Sequence, residues 1–531
     1  MARLNRKSAT VKNIATTPIS TTGNRVVNQQ GGIGWERTPK SELFLAAVTS
    51  LNEDTFYESA EERADRISKL LTDPTVVSDG EWLVGFVGWL RREVGLRTVS
   101  AQVAVEAVHA RLEAGISGGN RELIAAAIGR LDEASELISY WRSRYGRKLP
   151  SALKRGVADG LNRYANEGAV LKWRGRMESG GLSLANVLNL VHPKPRDERQ
   201  AALYNAVLTD AYGRVPDLEN LPVWAARKEF LQMSKAEQIA RLSDAESADE
   251  LIRRARLTHE VIAGAIGTIP AQVWESLIPH LGYHALRMNL RRMSEAGISD
   301  DAIDAVNRKL RDHDAIVASK VMPIDFFRAY RNAPLDFAAA LQKGASAALE
   351  NVPDLPGRTL VLLDRSGSMS DTLSSASTMR RQEVANIFAA AIALKNKGRV
   401  DVVAYNTRVE PVNIAGTDLL RIVDTQMPSP RGGTNTADAV RQAYNHHDRI
   451  IILTDEQTGY YGYGGSVDSV LNEVLKPGAT VFTWNLAGYR AAHTEAKPGR
   501  WTFGGLSDKG FDMIPLLERG FSSSWPWEAN K

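Results

Sequence analysis

Two hydrophobic patterns divide the chain. From about Pro39 to about Glu350, apolar residues recur at helical spacing, as in Glu81-Trp-Leu-Val-Gly-Phe-Val-Gly-Trp-Leu90 and Arg121-Glu-Leu-Ile-Ala-Ala-Ala-Ile128. Asp300-Asp-Ala-Ile-Asp-Ala-Val-Asn-Arg-Lys-Leu310 repeats the spacing. Short polar breaks such as Ser117-Gly-Gly-Asn120 and Thr268-Ile-Pro270 separate these stretches, and no β-alternation interrupts them. So many helices in series predict a solenoid of helix pairs rather than one bundle. No clean repeat period is visible.

Beyond Asn351-Val-Pro-Asp-Leu-Pro-Gly357, read as a linker, the pattern changes. Apolar runs without alternation, Thr359–Leu363, Arg399–Tyr405, Arg449–Leu453 and Ala479–Trp484, read as strands. Helical segments at Met379–Lys395, 417–424, 436–444 and 511–518 lie between and after them. Strands apolar on both sides belong to a parallel sheet covered by helices on both faces. The expected architecture is therefore multidomain: residues 1–30 as a flexible arm, an all-α helical-repeat unit over 31–350, a linker over 351–357, and a doubly wound α/β domain over 358–531.

Composition narrows the function classes. The 531 residues suggest two to four domains at roughly 100 to 200 residues each. Cysteine is absent, which excludes disulfides, cysteine-held zinc and thiol chemistry. No apolar run approaches the roughly 20 residues of a membrane span, and the polar N-terminus lacks a secretory apolar core, so a cytoplasmic protein without membrane contact is expected. The net charge of +4 hides an uneven distribution. Residues 1–40 hold seven basic and one acidic side chain, and residues 141–199 hold thirteen basic and five acidic. Concentrated positive charge on an otherwise acidic chain suits a polyanion.

Candidate chemistry collects at predicted strand ends, where open α/β sheets bind ligands. Asp364-Arg-Ser-Gly-Ser368 ends the first strand of this half. Gly432-Gly-Thr434 opens a helix, and Thr454-Asp455 ends the strand Ile450–Leu453. Asp364, Ser366, Ser368, Thr434 and Asp455 are all hard oxygen donors, the set that suits Mg²⁺ or another divalent cation. The order D-x-S-x-S, G-G-T, T-D closely resembles the metal-ion-dependent adhesion site of von Willebrand factor A domains. That resemblance implies direct ligation by Ser366, Ser368 and Thr434, with Asp364 and Asp455 acting directly or through water. No nucleophile with an adjacent base accompanies the site, so recognition rather than catalysis is expected.

The basic stretch contains Tyr145-Gly-Arg-Lys-Leu-Pro-Ser-Ala-Leu-Lys-Arg-Gly-Val-Ala-Asp159, Leu171-Lys-Trp-Arg-Gly-Arg176 and Leu188-Asn-Leu-Val-His192-Pro-Lys-Pro195. Lys172 and Arg176 are four apart, hence on one face if the helix continues, with Trp173 beside them. Cations interleaved with aromatic rings suit phosphates and unstacked bases. In order and content these segments resemble the TROVE domain of the Ro autoantigen family, bacterial or phage type. His284-Ala-Leu-Arg-Met-Asn-Leu-Arg-Arg-Met293 and Val321-Met-Pro-Ile-Asp-Phe-Phe-Arg-Ala-Tyr330 resemble two later helices of that domain.

The resemblance implies a ring of HEAT-like helix pairs closed at the A domain. It implies small noncoding Y-like RNA on an outer basic surface and single-stranded 3′ ends of misfolded RNA in a central hole. Noncoding-RNA quality control or decay follows, with polynucleotide phosphorylase as a partner. Lys172, Arg176 and His192 match positions the family uses for RNA, and Trp173, Lys194, Arg287 and Arg291 join them as candidates. A non-catalytic monomer is expected. The competing class is a protein-binding adaptor that grips a partner's acidic side chain through the metal site.

Overall fold

The structure is a computed structural model that describes residues 20–27, 33–49, 60–175, 181–372, 379–456, 466–487, 493–494, 499–504, 514–515, 518 and 525–528. Helices follow one another from Pro39–Thr49 to Ala338–Ala347. Many start where a short polar side chain takes over an unsatisfied backbone amide. Asp79, Ser183, Asp197, Ser234, Asp244, Thr258, Ser299 and Asp312 each accept from an amide in the first turn. The two polar breaks singled out in the sequence also precede helix starts, at Asn120 and Ala271, but without a side-chain cap. Helices pack on their second neighbours: Gly80–Trp89 on Asn120–Ala126, Asn120–Ala126 on Ser151–Tyr164, Arg97–Glu113 on Leu131–Tyr145, and Pro222–Gln232 on Ala245–Ala255. That is the stacking of helix pairs. Gly156 permits one of the closest contacts, because a Cβ there would stand 2.5 Å from the Arg121 carbonyl oxygen and 2.6 Å from Ile124 Cβ. No helix among the described residues is long and apolar enough to cross a membrane.

Two strands precede the helices. β1 (Thr21–Val27) pairs antiparallel with β2 (Ile33–Arg37). Glu36 accepts from Thr22 at 2.7 Å and Asn24 at 2.8 Å, which ties the hairpin across its exposed face. The expected arm over residues 1–30 is therefore corrected for 21–27; residues 1–19 lie outside the described set. Exposed, mostly polar side chains hid the hairpin, since no buried face imposes an alternation.

The second unit is a six-stranded sheet in the order β5-β4-β3-β6-β7-β8. Its strands are β3 (Thr359–Asp364), β4 (Val400–Tyr405), β5 (Val409–Pro411), β6 (Arg449–Thr454), β7 (Thr480–Asn485) and β8 (Arg500–Gly504). All neighbouring pairs run parallel except β4 and β5. The sheet is thus mixed, with an antiparallel edge strand that ends at Pro411, where a missing amide costs no ladder bond. Central β3 shows why its sequence lacks alternation. Val361 and Leu363 join one buried apolar cluster, and Leu360 and Leu362 join another on the opposite face. The expected closing helix over 511–518 lies mostly outside the described residues.

The expected linker is not a free tether. Val352 and Leu355 are buried in a core that runs from Ala226 through the late helices onto one sheet face, and the Leu355 amide donates to Asn396 at 2.6 Å. The first helices meet the same sheet from the other end of the array. Helix Pro39–Thr49 packs against β8. Arg37, at the end of β2, forms a buried ion pair at 2.7 Å with Glu456, just past β6. Contacts thus form a closed circuit from the sheet through the helices and back.

Candidate metal centre and nucleic-acid interface

β3 and β6 are neighbours, so their C-terminal ends bring Asp364 together with Thr454 and Asp455. One Asp364 oxygen accepts from the Ser366 amide at 2.8 Å and the other from the Thr454 hydroxyl at 2.6 Å. The Ser366 and Ser368 hydroxyls lie 3.2 Å apart, so alternate spacing does place them together. Two backbone bonds join the Gly432 loop to this turn: Gly367 N–H to the Gly432 carbonyl at 2.9 Å, and Arg431 N–H to the Arg365 carbonyl at 2.7 Å. Gly432 adopts φ +76°, left-handed backbone that a glycine takes without strain. Asp364, Ser366, Ser368, Thr434 and Asp455 are each at most 5% exposed.

The electrostatics of this pocket suit a cation. Burial, and then the charge of Asp455, push the Asp364 carboxyl well above the usual carboxylate range. The Thr434 hydroxyl is buried with no hydrogen-bond partner, a costly state that coordination would relieve. Among the described residues no group of three or more His, Asp or Glu could hold a metal, so hydroxyls must contribute to any such site. An all-oxygen set of two carboxylates and three hydroxyls fits a hard ion that keeps some water, as Mg²⁺ does. It carries no thiolate or imidazole for a softer metal.

The basic candidates divide. Helix Glu167–Trp173 ends with Arg174 as its cap, and Arg176, which the sequence spacing pairs with Lys172 if the helix continues, lies outside the described residues. Arg174 is half-buried, pairs with the exposed Asp210 and lies over the Trp224 ring at 4.7 Å. Trp173 is half-buried, with the Arg130 guanidinium 4.2 Å and the Lys172 ammonium 5.0 Å from its ring centre, so it is a cation-covered ring rather than an open base platform. His192 is an exposed helix cap in left-handed backbone at φ 48°. Lys194 is exposed, and its carbonyl accepts from Asn162 at 2.7 Å. Arg287 is corrected: it is buried, and its guanidinium donates to the Asp325 carbonyl and carboxylate. It braces helix Tyr283–Met288 against helix Pro323–Asn332 and cannot reach a phosphate from there. Arg291 is exposed and pairs with Glu295 at 2.7 Å.

The fold gathers residues that the sequence pattern leaves apart. Lys172 lies 3.9 Å from Glu260, whose neighbour His259 faces Asn289 at 3.2 Å. Arg292 donates to the same Asn289 at 3.4 Å, and Arg256 lies over Gly168, on Lys172's own helix. Lys172, Arg256 and Arg292 are exposed. Burial lowers the His259 pKa and outweighs the pull of Glu260, with Arg292 and Lys172 lowering it further, so the ring is neutral near pH 7. His259 and Asn289 had no usable signal in the chain: each is a single residue on a helix end, and only packing across helices brings them together.

A family model described as the TROVE domain matches residues 267–406, a stretch that runs from the late helices into β4. Among solved structures, the crystal structure of the Deinococcus radiodurans RO (RSR) protein is similar, with a TM-score of 0.64 at 17% identity, covering 92% of this chain and 99% of that chain. This chain shares the fold of a Ro protein. No curated protein matches it by sequence. The TROVE match takes in both Arg291 and the D-x-S-x-S turn, so it bridges the helical array and the sheet rather than stopping at the linker.

Proposed function

We propose that the chain is a non-catalytic RNA-binding protein of Ro type, acting in the cytoplasm. The observation that carries this reading is the convergence of Lys172 and Arg292, about 120 positions apart, on the His259–Asn289 pair, with Arg256 beside Gly168 on Lys172's own helix. Fixed cations beside a neutral imidazole and an amide supply phosphate contacts and base-edge hydrogen bonds together. The similarity to a Ro structure and the TROVE match support the same class. On this reading the helix array forms a HEAT-like ring closed at a von Willebrand factor A-like domain. A small Y-like RNA binds the outer basic surface that includes His192 and Lys194. A single-stranded 3′ end of misfolded RNA enters the central hole, and the complex serves noncoding-RNA quality control, with polynucleotide phosphorylase as an attached partner. Ser366, Ser368 and Thr434 would hold Mg²⁺, with Asp364 and Asp455 behind or beside it.

The test is fluorescence anisotropy with a structured RNA carrying a single-stranded 3′ tail. Lys172→Ala with Arg292→Ala is expected to weaken binding several-fold. It should also flatten the slope of log affinity against log salt, by about one unit for each phosphate left without its cation. Unchanged affinity and slope would reject this face. The buried oxygen cage favours one second reading, a metal-dependent adaptor for an acidic protein partner. Asp364→Ala that abolishes the principal interaction, while the basic variants change nothing, would select it.

A further inference from the structure

Among the described residues, the core of the first helices, Leu43 to Trp224, takes its only other apolar members from the far end of the chain: Trp525, buried, and Trp527, partly buried. These rings are not a surface addition. They stack on each other at 5.4 Å and 14°. Trp525 lies 5.4 Å from Phe44 and 5.2 Å, edge on, from Trp82. Trp527 lies 5.3 Å from Phe86 and 5.8 Å from Trp89. Helix Gly80–Trp89 is shaped for them, since a Cβ at Gly85 would fall inside the Trp527 indole. A cavity of about 750 Å³ remains beside the docked ring, lined by Gly80, Gly88, Arg92 and Arg111.

The tail is built to present both rings. Pro526 restricts the backbone between them, and a local turn closes through Glu528 N–H to the Trp525 carbonyl at 2.9 Å and Trp525 N–H to the Glu528 carboxylate at 3.0 Å. Neither the Trp82 nor the Trp527 indole N–H has a hydrogen-bond partner, so the seat is ring packing without a polar lock. The other end of the array differs. There the helices from Ala226 onward share one continuous apolar core with the sheet.

We propose that Trp525-Pro526-Trp527 is a detachable clasp. It holds the first helices against the α/β unit beside the Arg37–Glu456 pair and the packing of helix Pro39–Thr49 on β8, and its release loosens the closed circuit at that seam without unfolding either side. A seam of this kind would admit a strand sideways rather than by threading an end; that consequence alone rests on the RNA reading above.

The test uses the full chain and hydrogen exchange with mass spectrometry, with small-angle scattering alongside. Trp525→Ala with Trp527→Ala is expected to speed exchange at least tenfold in helices Pro39–Thr49 and Gly80–Trp89 and to enlarge the particle, while β3, β6 and the far-ultraviolet spectrum stay as they are. Gly85→Ala evicts Trp527 without touching the tail; it should give a milder version, and no further effect when added to Trp527→Ala. Exchange in the two helices that stays at the native rate in both variants overturns the clasp. So does exchange that rises equally in β3 and β6, which would make the rings ordinary core. Exchange that responds as expected while a covalently closed single-stranded RNA still fails to bind keeps the clasp and removes only the sideways-entry consequence.

Discussion

Arg37→Met is the most demanding perturbation of the seam. Arg37 and Glu456 are 419 positions apart, and both side chains are essentially sealed from water. Glu456 also accepts from Asn485 at 2.5 Å and from the His493 amide at 3.4 Å, and its backbone sits at φ 61°, rare for a residue with a side chain. Burial opposes ionisation of Glu456. Arg37, with His493 and Asn485, overcomes it and holds the carboxyl below its ordinary 4.5. Removing the arginine leaves a buried carboxylate short of its main counter-charge, a defect that costs about 3–5 kcal/mol. Glu456→Gln takes the counter-charge from the buried arginine instead and should also cost stability. Arg37→Met with Glu456→Gln removes both charges and should recover about 2–3 kcal/mol relative to the summed single losses.

The pH dependence of Arg37→Met follows from the same geometry. A carboxyl whose folded pKa lies below its unfolded value adds stability at pH above about 4.5, and that stability is lost as pH falls through the lower folded value. In Arg37→Met the folded pKa rises, so the variant's deficit is largest near pH 7 and shrinks toward pH 4. Urea unfolding followed by tryptophan fluorescence at both pH values measures this. A deficit under about 1 kcal/mol at pH 7, or strictly additive single losses, would refute the claim that this pair closes the seam.

Two further outcomes are expected. If the proposed site holds Mg²⁺, the ion is expected to raise the melting temperature of the native chain, and Thr434→Val should abolish that rise while leaving the metal-free protein as stable as before or slightly more so, because it removes an unsatisfied buried hydroxyl; a Mg²⁺ shift that survives the substitution would place the ion elsewhere. Gly156→Ala should cost about 1–3 kcal/mol in thermal or urea unfolding, because its methyl must displace the Arg121 backbone and Ile124 where two helices touch; a neutral result would mean that the two helices can part without loss.

How much of this was legible in the chain depends on whether a feature is local. β3 and β6 announced themselves because strands buried on both faces are unbroken apolar runs. β8 did not, since Arg500-Trp-Thr-Phe-Gly504 is short and polar at alternate places and lies on the sheet edge. The serine turn was legible because D-x-S-x-S is local, and only its bonding to the Gly432 loop and the meeting of Asp364 with Thr454 needed the sheet. The proposed nucleic-acid face was suggested by composition, which did not say which cations belong to it. Arg287 and Arg291 stand one helical turn apart in one motif, and nothing in the sequence separates them. The fold does so through Asp325, which is 38 positions away and takes Arg287 into the interior, whereas Arg291 remains in solvent beside Glu295. A cation paired at the surface can exchange its carboxylate for a phosphate, whereas one drawn into the interior cannot. That difference belongs to packing between helices, and for the same reason the role proposed for His259 could not be read from its own segment.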